Sequence, residues 1–294
     1  MELPLILVTG KNGQVGTELH QLSEKFAQHF RFVFCDKETL DISNETEVLQ
    51  LFQQYKPAFC INCAAYTAVD KAETNQQQAY AVNADAVSYL AKACSKYNAV
   101  LISFSTDYVF DGTANQPYLP ESLTNPINYY GYTKYMGEKL ALSNCPSAII
   151  IRTSWVYSSF GNNFVKTMIR LMKEKNEIGV VSDQYGSPTY AADLALAVMK
   201  IITTLSTQSI QSVPYGIYHY ANKGIISWYQ FALAIQQNMQ LSCKVNAITT
   251  AQFPTPAKRP AYSGLNTEKI TQVFGIQPPE WQHSLEQCLR RLKN

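Results

Sequence analysis

Short apolar runs alternate with longer stretches of helical periodicity through the first half of the chain, a pattern that predicts βαβ units feeding one parallel sheet. Leu5 to Thr9 reads as the first strand and about Gly13 to Phe26 as the helix after it. Phe32 to Cys35 follows as the second strand. Asn44-Glu45-Thr46-Glu47 resembles a capping box and opens a helix that stops before Pro57. Phe59 to Cys63, Ala99 to Ser105 and Ala148 to Arg152 are further strands, separated by helices over about Gln76 to Tyr97 and Tyr129 to Leu142.

After Arg152 the rhythm loosens. Asn163 to Lys175 and Ala191 to Ile202 read as helices, Gly216 to Tyr220 as a late strand, and Ser227 as the cap of a helix through Asn238. Three prolines within Phe253-Pro254-Thr255-Pro256-Ala257-Lys258-Arg259-Pro260 forbid regular structure there. An ordered loop is expected, followed by a C-terminal helix near Glu280 to Leu292. The pattern predicts an α/β core over residues 1–156 with about 190–222, and a smaller mixed lobe over 157–189 and 223–294.

Composition narrows the class. The chain has 294 residues, 46% of them hydrophobic, enough for a large core. Lys plus Arg 24 against Asp plus Glu 22 leaves a net charge of +2 with no dense basic block, so no nucleic-acid partner is expected. The apolar run from Leu3 to Gly10 is too short for a membrane span and has no basic residues before it; it reads as a strand, not a signal peptide. No later segment reaches about 18 uninterrupted apolar residues, so no membrane association is expected. The seven cysteines are odd in number and scattered, as in a reduced cytoplasmic protein. Cys60-Ile61-Asn62-Cys63 lies in a strand with no second pair, and the four histidines have no ligand spacing, so no metal site is expected.

Candidate chemistry begins where the first strand turns into its helix. Gly10, Gly13 and Gly16 give the spacing G-x-x-G-x-x-G, at a place where a backbone free of Cβ atoms and a helix N-terminus can receive a pyrophosphate. Asp36 ends the second strand twenty residues after Gly16, where a carboxylate can bind an adenosine ribose. Asp36 would repel a 2′-phosphate, whereas Lys11 and Lys37 would offset that repulsion, so both NADH and NADPH stay open. Asp41-Ile42 and Ala64-Ala65-Tyr66-Thr67 fall beyond further strand ends, and the small residues Ala64 and Ala65 would let a flat nicotinamide-ribose approach.

A chain with 19 tyrosines has about one chance Tyr-x-x-x-Lys pair, and this one has two, Tyr130/Lys134 and Tyr135/Lys139. Members of each pair share a helix face, but the pairs are rotated roughly 140° apart, so only one can face a cofactor. Tyr130, in the first turn of its helix, is placed to look into the cleft; Tyr135 and Lys139 read as helix surface. A phenol titrates near ~10, and a lysine one turn away should lower it toward a useful acid for a carbonyl oxygen. Thr106, just past the fourth strand, can donate to the oxygen where charge develops.

With these residues in register, the chain resembles the extended short-chain dehydrogenase/reductase family. The resemblance rests on the glycine turn, Ser105-Thr106-Asp107-Tyr108-Val109-Phe110 and Tyr130-x-x-x-Lys134. It is extended by Asn62-Cys63-Ala64-Ala65-Tyr66-Thr67, Arg152-Thr153-Ser154-Trp155, Asp183-Gln184-Tyr185-Gly186-Ser187-Pro188-Thr189 and Arg259-Pro260. It implies a Rossmann-type doubly wound parallel sheet with a smaller mixed α/β C-terminal substrate lobe. The implied activity is NAD(P)H-dependent reduction of the 4-keto group of dTDP-4-dehydro-L-rhamnose to dTDP-L-rhamnose, for surface polysaccharide. Thr106, Tyr130 and Lys134 would be catalytic. Gly13, Gln14, Val15, Asp36, Asp41, Ile42, Ala65, Tyr66, Thr67 and Phe104 would line the cofactor, and Thr106, Asp107 and Trp155 would contact the sugar nucleotide. Arg259 is a candidate for its pyrophosphate, since a guanidinium matches phosphate geometry.

Some members of the family are dimers bridged by magnesium through acidic residues near the C-terminus. Here the tail from Cys288 to Asn294 is basic, so that metal and dimer are not carried over, and monomer or homodimer stays open. Two rival readings stand beside the reductase. A dehydratase or epimerase of the same superfamily is one; a dehydratase would be expected to show an acidic pair beside the hydroxyl, where Thr106-Asp107-Tyr108 has one carboxylate. The other is a non-catalytic regulatory subunit like the β subunit of methionine adenosyltransferase.

Overall fold

A computed structural model describes residues 2–207 and 214–293. Strands β1 (Leu5–Thr9), β2 (Arg31–Cys35), β3 (Phe59–Asn62), β4 (Val100–Thr106) and β5 (Ala148–Thr153) are joined by helices that cross over the sheet. These helices are α1 (Gln14–Ser23), α2 (Glu45–Tyr55), α3 (Val69–Ala72), α4 (Gln76–Tyr80), α5 (Ala86–Lys96) and α6 (Tyr129–Asn144). Then come β6 (Val156–Tyr157), α7 (Phe164–Glu174), β7 (Glu177–Val181), β8 (Tyr185–Gly186), β9 (Thr189–Tyr190), α8 (Ala191–Thr207) and β10 (Gly216–His219). The chain ends through β11 (Ile226–Ser227), α9 (Trp228–Met239), β12 (Lys244–Ile248), α10 (Glu268–Phe274) and α11 (Trp281–Lys293).

The main sheet has the order β10-β5-β4-β3-β1-β2 with every pairing parallel. The order reverses between β1 and β3, the place where an open sheet of this kind binds ligands. Alternation along the strands explains their unbroken apolar runs. Ile6, Val8, Ile61 and Ile102 pack under α1 and α8 on one face, while Leu7, Cys60 and Leu101 pack with Phe52 and Leu90 on the other. A third cluster, including Val165, Met168, Ile178, Phe231 and Leu285, lies in the 157–190 and 226–292 segments.

Several local expectations are adjusted. Asn44 does cap α2, accepting from the Thr46 and Glu47 N–H groups. Glu47, however, turns to the Asn44 side-chain amide and the Asp41 N–H, because the Asn44 N–H is already bonded to the Asp41 carbonyl, so the box is not closed. The long helix from Gln76 is interrupted by a π segment, Ala81–Asp85. The pairing of β7 with β12, the short β6–β9 and β8–β11 pairs, and α10 escaped the sequence pattern, because each pair joins short strands from distant parts of the chain. Ile270, Phe274 and Ile276, in and after α10, join the core under the main sheet. Within the expected 190–222 part of the core, residues 208–213 lie outside the described residues, as does Asn294 of the basic tail. No helix among the described residues is long and apolar enough to cross a membrane.

Candidate active site

The glycine turn is built by backbone contact. Gly10 has φ +67°, and a Cβ there would lie 2.6 Å from the Ala64 nitrogen, so β1 and the segment after β3 can meet only at glycine. Gly16 lies behind the turn, where a Cβ would meet the Gly10 carbonyl. Helix α1 starts at Gly13 without a side-chain cap, which leaves its first-turn N–H groups for an anion.

Two cavities of about 450 and 430 Å³ adjoin over this turn and share Asn12, Gly13, Cys63 and Ala65 as walls. The first runs along Gly10, Asp36, Asp41, Ile42, Ala64 and Tyr66. The second runs along Gln14, Val15, Thr67 and Phe104 to Tyr130 and Lys134, and the buried, unpartnered Ser105 hydroxyl also lines it. Together they form a groove across the switch point, with polar residues at both ends and glycine between them, which suits an extended dinucleotide.

At the first end Lys11 pairs with Asp36 at 2.8 Å, and the Thr39 N–H and hydroxyl bond its other oxygen. The Lys11 ammonium and the Thr39 donors hold the Asp36 carboxyl far below the usual range. The lysine thus cancels much of the charge that would oppose a 2′-phosphate. In the middle, Asn83 from the π segment brackets the 64–67 stretch: its amide oxygen accepts from the Tyr66 N–H, and its Nδ2 donates to the Tyr66 carbonyl and to Thr133. Thr133 in turn donates to the Tyr130 carbonyl, tying that wall to α6.

Asn128 starts α6 by accepting from the Gly131 N–H at 2.7 Å, and Glu73 accepts from the Tyr129 N–H. This sets Tyr130 and Lys134 on the groove wall. Lys139 is exposed with its ammonium over the Tyr135 ring, but Tyr135 is half-buried against Phe110 and Leu265 rather than a surface residue. The expected lowering of the tyrosine pKa is not seen in this protein-only site. Burial pushes Tyr130 up to about 12, the Asp107 carboxylate adds to that, and the Thr106 hydroxyl opposes it. Burial also brings Lys134 down to about 8, against the pull of Glu138. In a dry pocket desolvation of each charged form outweighs a charge one turn away. Glu138 is itself buried and grips Arg152 through two bonds of 2.8 and 2.7 Å.

Thr106 is the last residue of β4, one place inside the strand rather than past it, and Asp107 follows directly. The Thr106 hydroxyl donates to Asp107 at 3.0 Å and accepts from the Tyr108 N–H, while the second, buried carboxylate oxygen has no partner among the described residues. Burial pushes Asp107 up to about 6, with the nearby Ser263 and Thr106 hydroxyls opposing.

A third cavity of about 240 Å³ is lined by Phe164, Met168, Trp228, Phe253, Thr255 and Arg259. Trp155 has φ +48° and stacks on Trp228 with ring centroids 3.5 Å apart, so one of its two ring faces is already covered by protein. Arg259 reaches this cavity while bonded to Asp70. Sequence reasoning missed Asn83, Asp70, Trp228 and the Glu138–Arg152 pair. A Glu138 one turn after Lys134 was the one local signal; the others come together only in the fold.

A family model described as "RmlD substrate binding domain" matches residues 4–294. The chain is 43% identical to a dTDP-4-dehydrorhamnose reductase of Aggregatibacter actinomycetemcomitans over 96% of its own length and 97% of that protein. It is 39% identical to the reductase of that name from Escherichia coli K12, over 98% and 97%. Among solved structures, a dTDP-4-dehydrorhamnose reductase from Clostridium acetobutylicum superposes with TM-score 0.93 at 41% identity, covering 99% of this chain and 100% of that one. One from Bacillus anthracis, in complex with NADP, gives 0.92 at 39% identity, with the same coverage.

Proposed function

The chain belongs to the RmlD substrate binding domain family of dTDP-4-dehydrorhamnose reductases, and from that premise we propose that it reduces the 4-keto group of dTDP-4-dehydro-L-rhamnose to dTDP-L-rhamnose with NADPH or NADH. The observation that carries this reading is the groove that crosses the glycine turn and ends at Tyr130 and Lys134, with Thr106 and Asp107 beside Tyr130.

When bound, the nicotinamide cofactor supplies the hydride that adds to C4 of the sugar. Tyr130 gives its phenolic proton to the C4 oxygen as that oxygen gains charge, which leaves an alcohol and a phenolate to be reprotonated from solvent. Thr106 turns its one O–H from Asp107 to donate to the same oxygen. Lys134, charged or close to it at neutral pH, stabilises the phenolate and holds ribose hydroxyls. Cofactor contacts fall to Gly10, Gly13, Gln14, Val15, Asp36, Asp41, Ile42, Ala64, Ala65, Tyr66, Thr67 and Phe104, with Gly16 shaping the turn. Asp107, Trp155 and Arg259 take the sugar nucleotide, in a lobe of residues 157–189 and 223–294 beside a cofactor-binding core. Cysteines that are all free, most of them buried, support a cytoplasmic enzyme.

The test is to mix the protein with dTDP-4-dehydro-L-rhamnose and either NADPH or NADH and to follow oxidation of the cofactor. Absence of turnover with both would refute the reductase reading and leave a regulatory role.

A further inference from the structure

Asp70 sits in the short helix α3, and its carboxylate is the point where the three-proline segment 253–260 is fastened to the sheet domain. Arg259 Nη1 and Nη2 donate to Asp70 Oδ1 and Oδ2 at 3.1 and 2.8 Å, an end-on fork. The Ala257 N–H donates to the same Oδ1 at 3.2 Å, and Nη1 also donates to the Ala257 carbonyl at 3.1 Å. Next to it, the Asn128 amide donates to the Lys258 carbonyl at 2.8 Å, from the residue that caps the Tyr130 helix.

A guanidinium has five N–H donors. Three contacts are accounted for by Asp70 and Ala257, the Tyr108 hydroxyl lies beside the head, and no hydrogen bond of good geometry from Nε or the second Nη2 hydrogen is made among the described residues. Those two form the side fork of the guanidinium, which matches two oxygens of a phosphate. The head is partly open, with 22% of the Arg259 side chain exposed, and lines the third cavity beside Phe164, Trp228 and Phe253.

We propose that Asp70 is a positioning residue: it grips one edge of Arg259 so that the other edge is presented to the diphosphate of the nucleotide sugar. This rests on the reading of Arg259 as the diphosphate ligand. Two effects of Asp70 oppose each other. Its negative charge repels a diphosphate, while its grip fixes a long side chain that otherwise loses rotamer freedom on binding. The ion pair is partly open, with 22% of the Arg259 and 39% of the Asp70 side chain exposed, so solvent screens part of the charge effect and the grip dominates. The sign of the effect therefore separates a positioning carboxylate from one that merely neutralises.

The experiment measures calorimetric binding of dTDP and of thymidine to wild type, Asp70→Asn, Arg259→Ala and the double variant. Asp70→Asn should weaken dTDP about fivefold to tenfold and leave thymidine within twofold. In the double variant the loss should equal that of Arg259→Ala alone, since Asp70 acts only through the arginine. In turnover, Asp70→Asn should raise KM for the sugar nucleotide with kcat nearly unchanged. Unchanged or tighter dTDP binding in Asp70→Asn overturns the proposal, as does an equal loss for thymidine, which would mean that the loop had collapsed. An Arg259→Ala protein that binds dTDP normally overturns it through its premise. Wild type that binds no dTDP removes the nucleotide-sugar reading itself, and the proposal with it.

Discussion

Replacing Asp107 by asparagine should stabilise the protein at neutral pH while it impairs the reaction. Asp107 is 2% exposed, and one of its oxygens has no hydrogen-bond partner among the described residues, so the fold holds a carboxylate where water cannot reach it. Burial raises its pKa from the ordinary 3.8 to about 6. The sign follows from linkage. Below about pH 4 the carboxyl is protonated in both the folded and the unfolded chain, and burial carries no charge penalty. Between about pH 4 and 6 the unfolded chain ionises first, and stability is lost progressively until the folded carboxyl has ionised too. At about 1.4 kcal/mol per pH unit, the full penalty above pH 6 is about 3 kcal/mol. Asparagine keeps an acceptor for Thr106 and carries no charge. Urea denaturation of both proteins at about pH 4.5 and pH 7.5 should show the variant gaining up to about 3 kcal/mol at the higher pH and much less at the lower. Turnover should fall about tenfold to a hundredfold, the weight of a charge-assisted contact. A gain that is absent at pH 7.5, or the same at both pH values, would refute the account of Asp107 as a strained buried charge.

Tyr130→Phe should lower kcat by about 10²- to 10⁴-fold with cofactor affinity preserved, whereas Tyr135→Phe should keep kcat within about twofold; comparable losses in steady-state assays would put the proton donor on the wrong face of α6. Lys11→Gln should leave the Asp36 charge uncancelled and raise KM for NADPH about threefold to tenfold, with little change for NADH; equal shifts for both would deny Lys11 its role. Glu138→Gln leaves the buried Arg152 guanidinium without a countercharge and sets an amide NH2 against one of its two donors, and should cost about 3–5 kcal/mol in chemical denaturation. A loss under about 1 kcal/mol would show that Arg152 finds another partner.

The parallel sheet and its crossover helices were legible in the chain because each depends on neighbours in sequence. Central strands such as Leu5–Thr9 are apolar on both faces, and helices begin at local signals such as Asn44 and Ser227. The glycine turn, Asp36 and the Tyr130/Lys134 pair were legible for the same reason, since their spacings are those of a turn, a strand end and one helix turn. What lies outside that range was decided in three dimensions. The β7–β12 pair joins strands with a helix pair and some sixty residues between them, and Asp70 meets Arg259 across 189 positions. The 3.5 Å stack of Trp155 on Trp228 likewise has no sequence signal. Electrostatics belongs to the same group: a lysine four residues away predicted a more acidic Tyr130, yet burial raises it, because desolvation depends on everything packed around the phenol. The sequence by itself thus determined which groups are candidates for the chemistry, through spacings short enough to be read along one element. Only the tertiary structure decided how they are charged, what holds them and which long-range partners complete the substrate side, because those properties arise from packing between segments far apart in the chain.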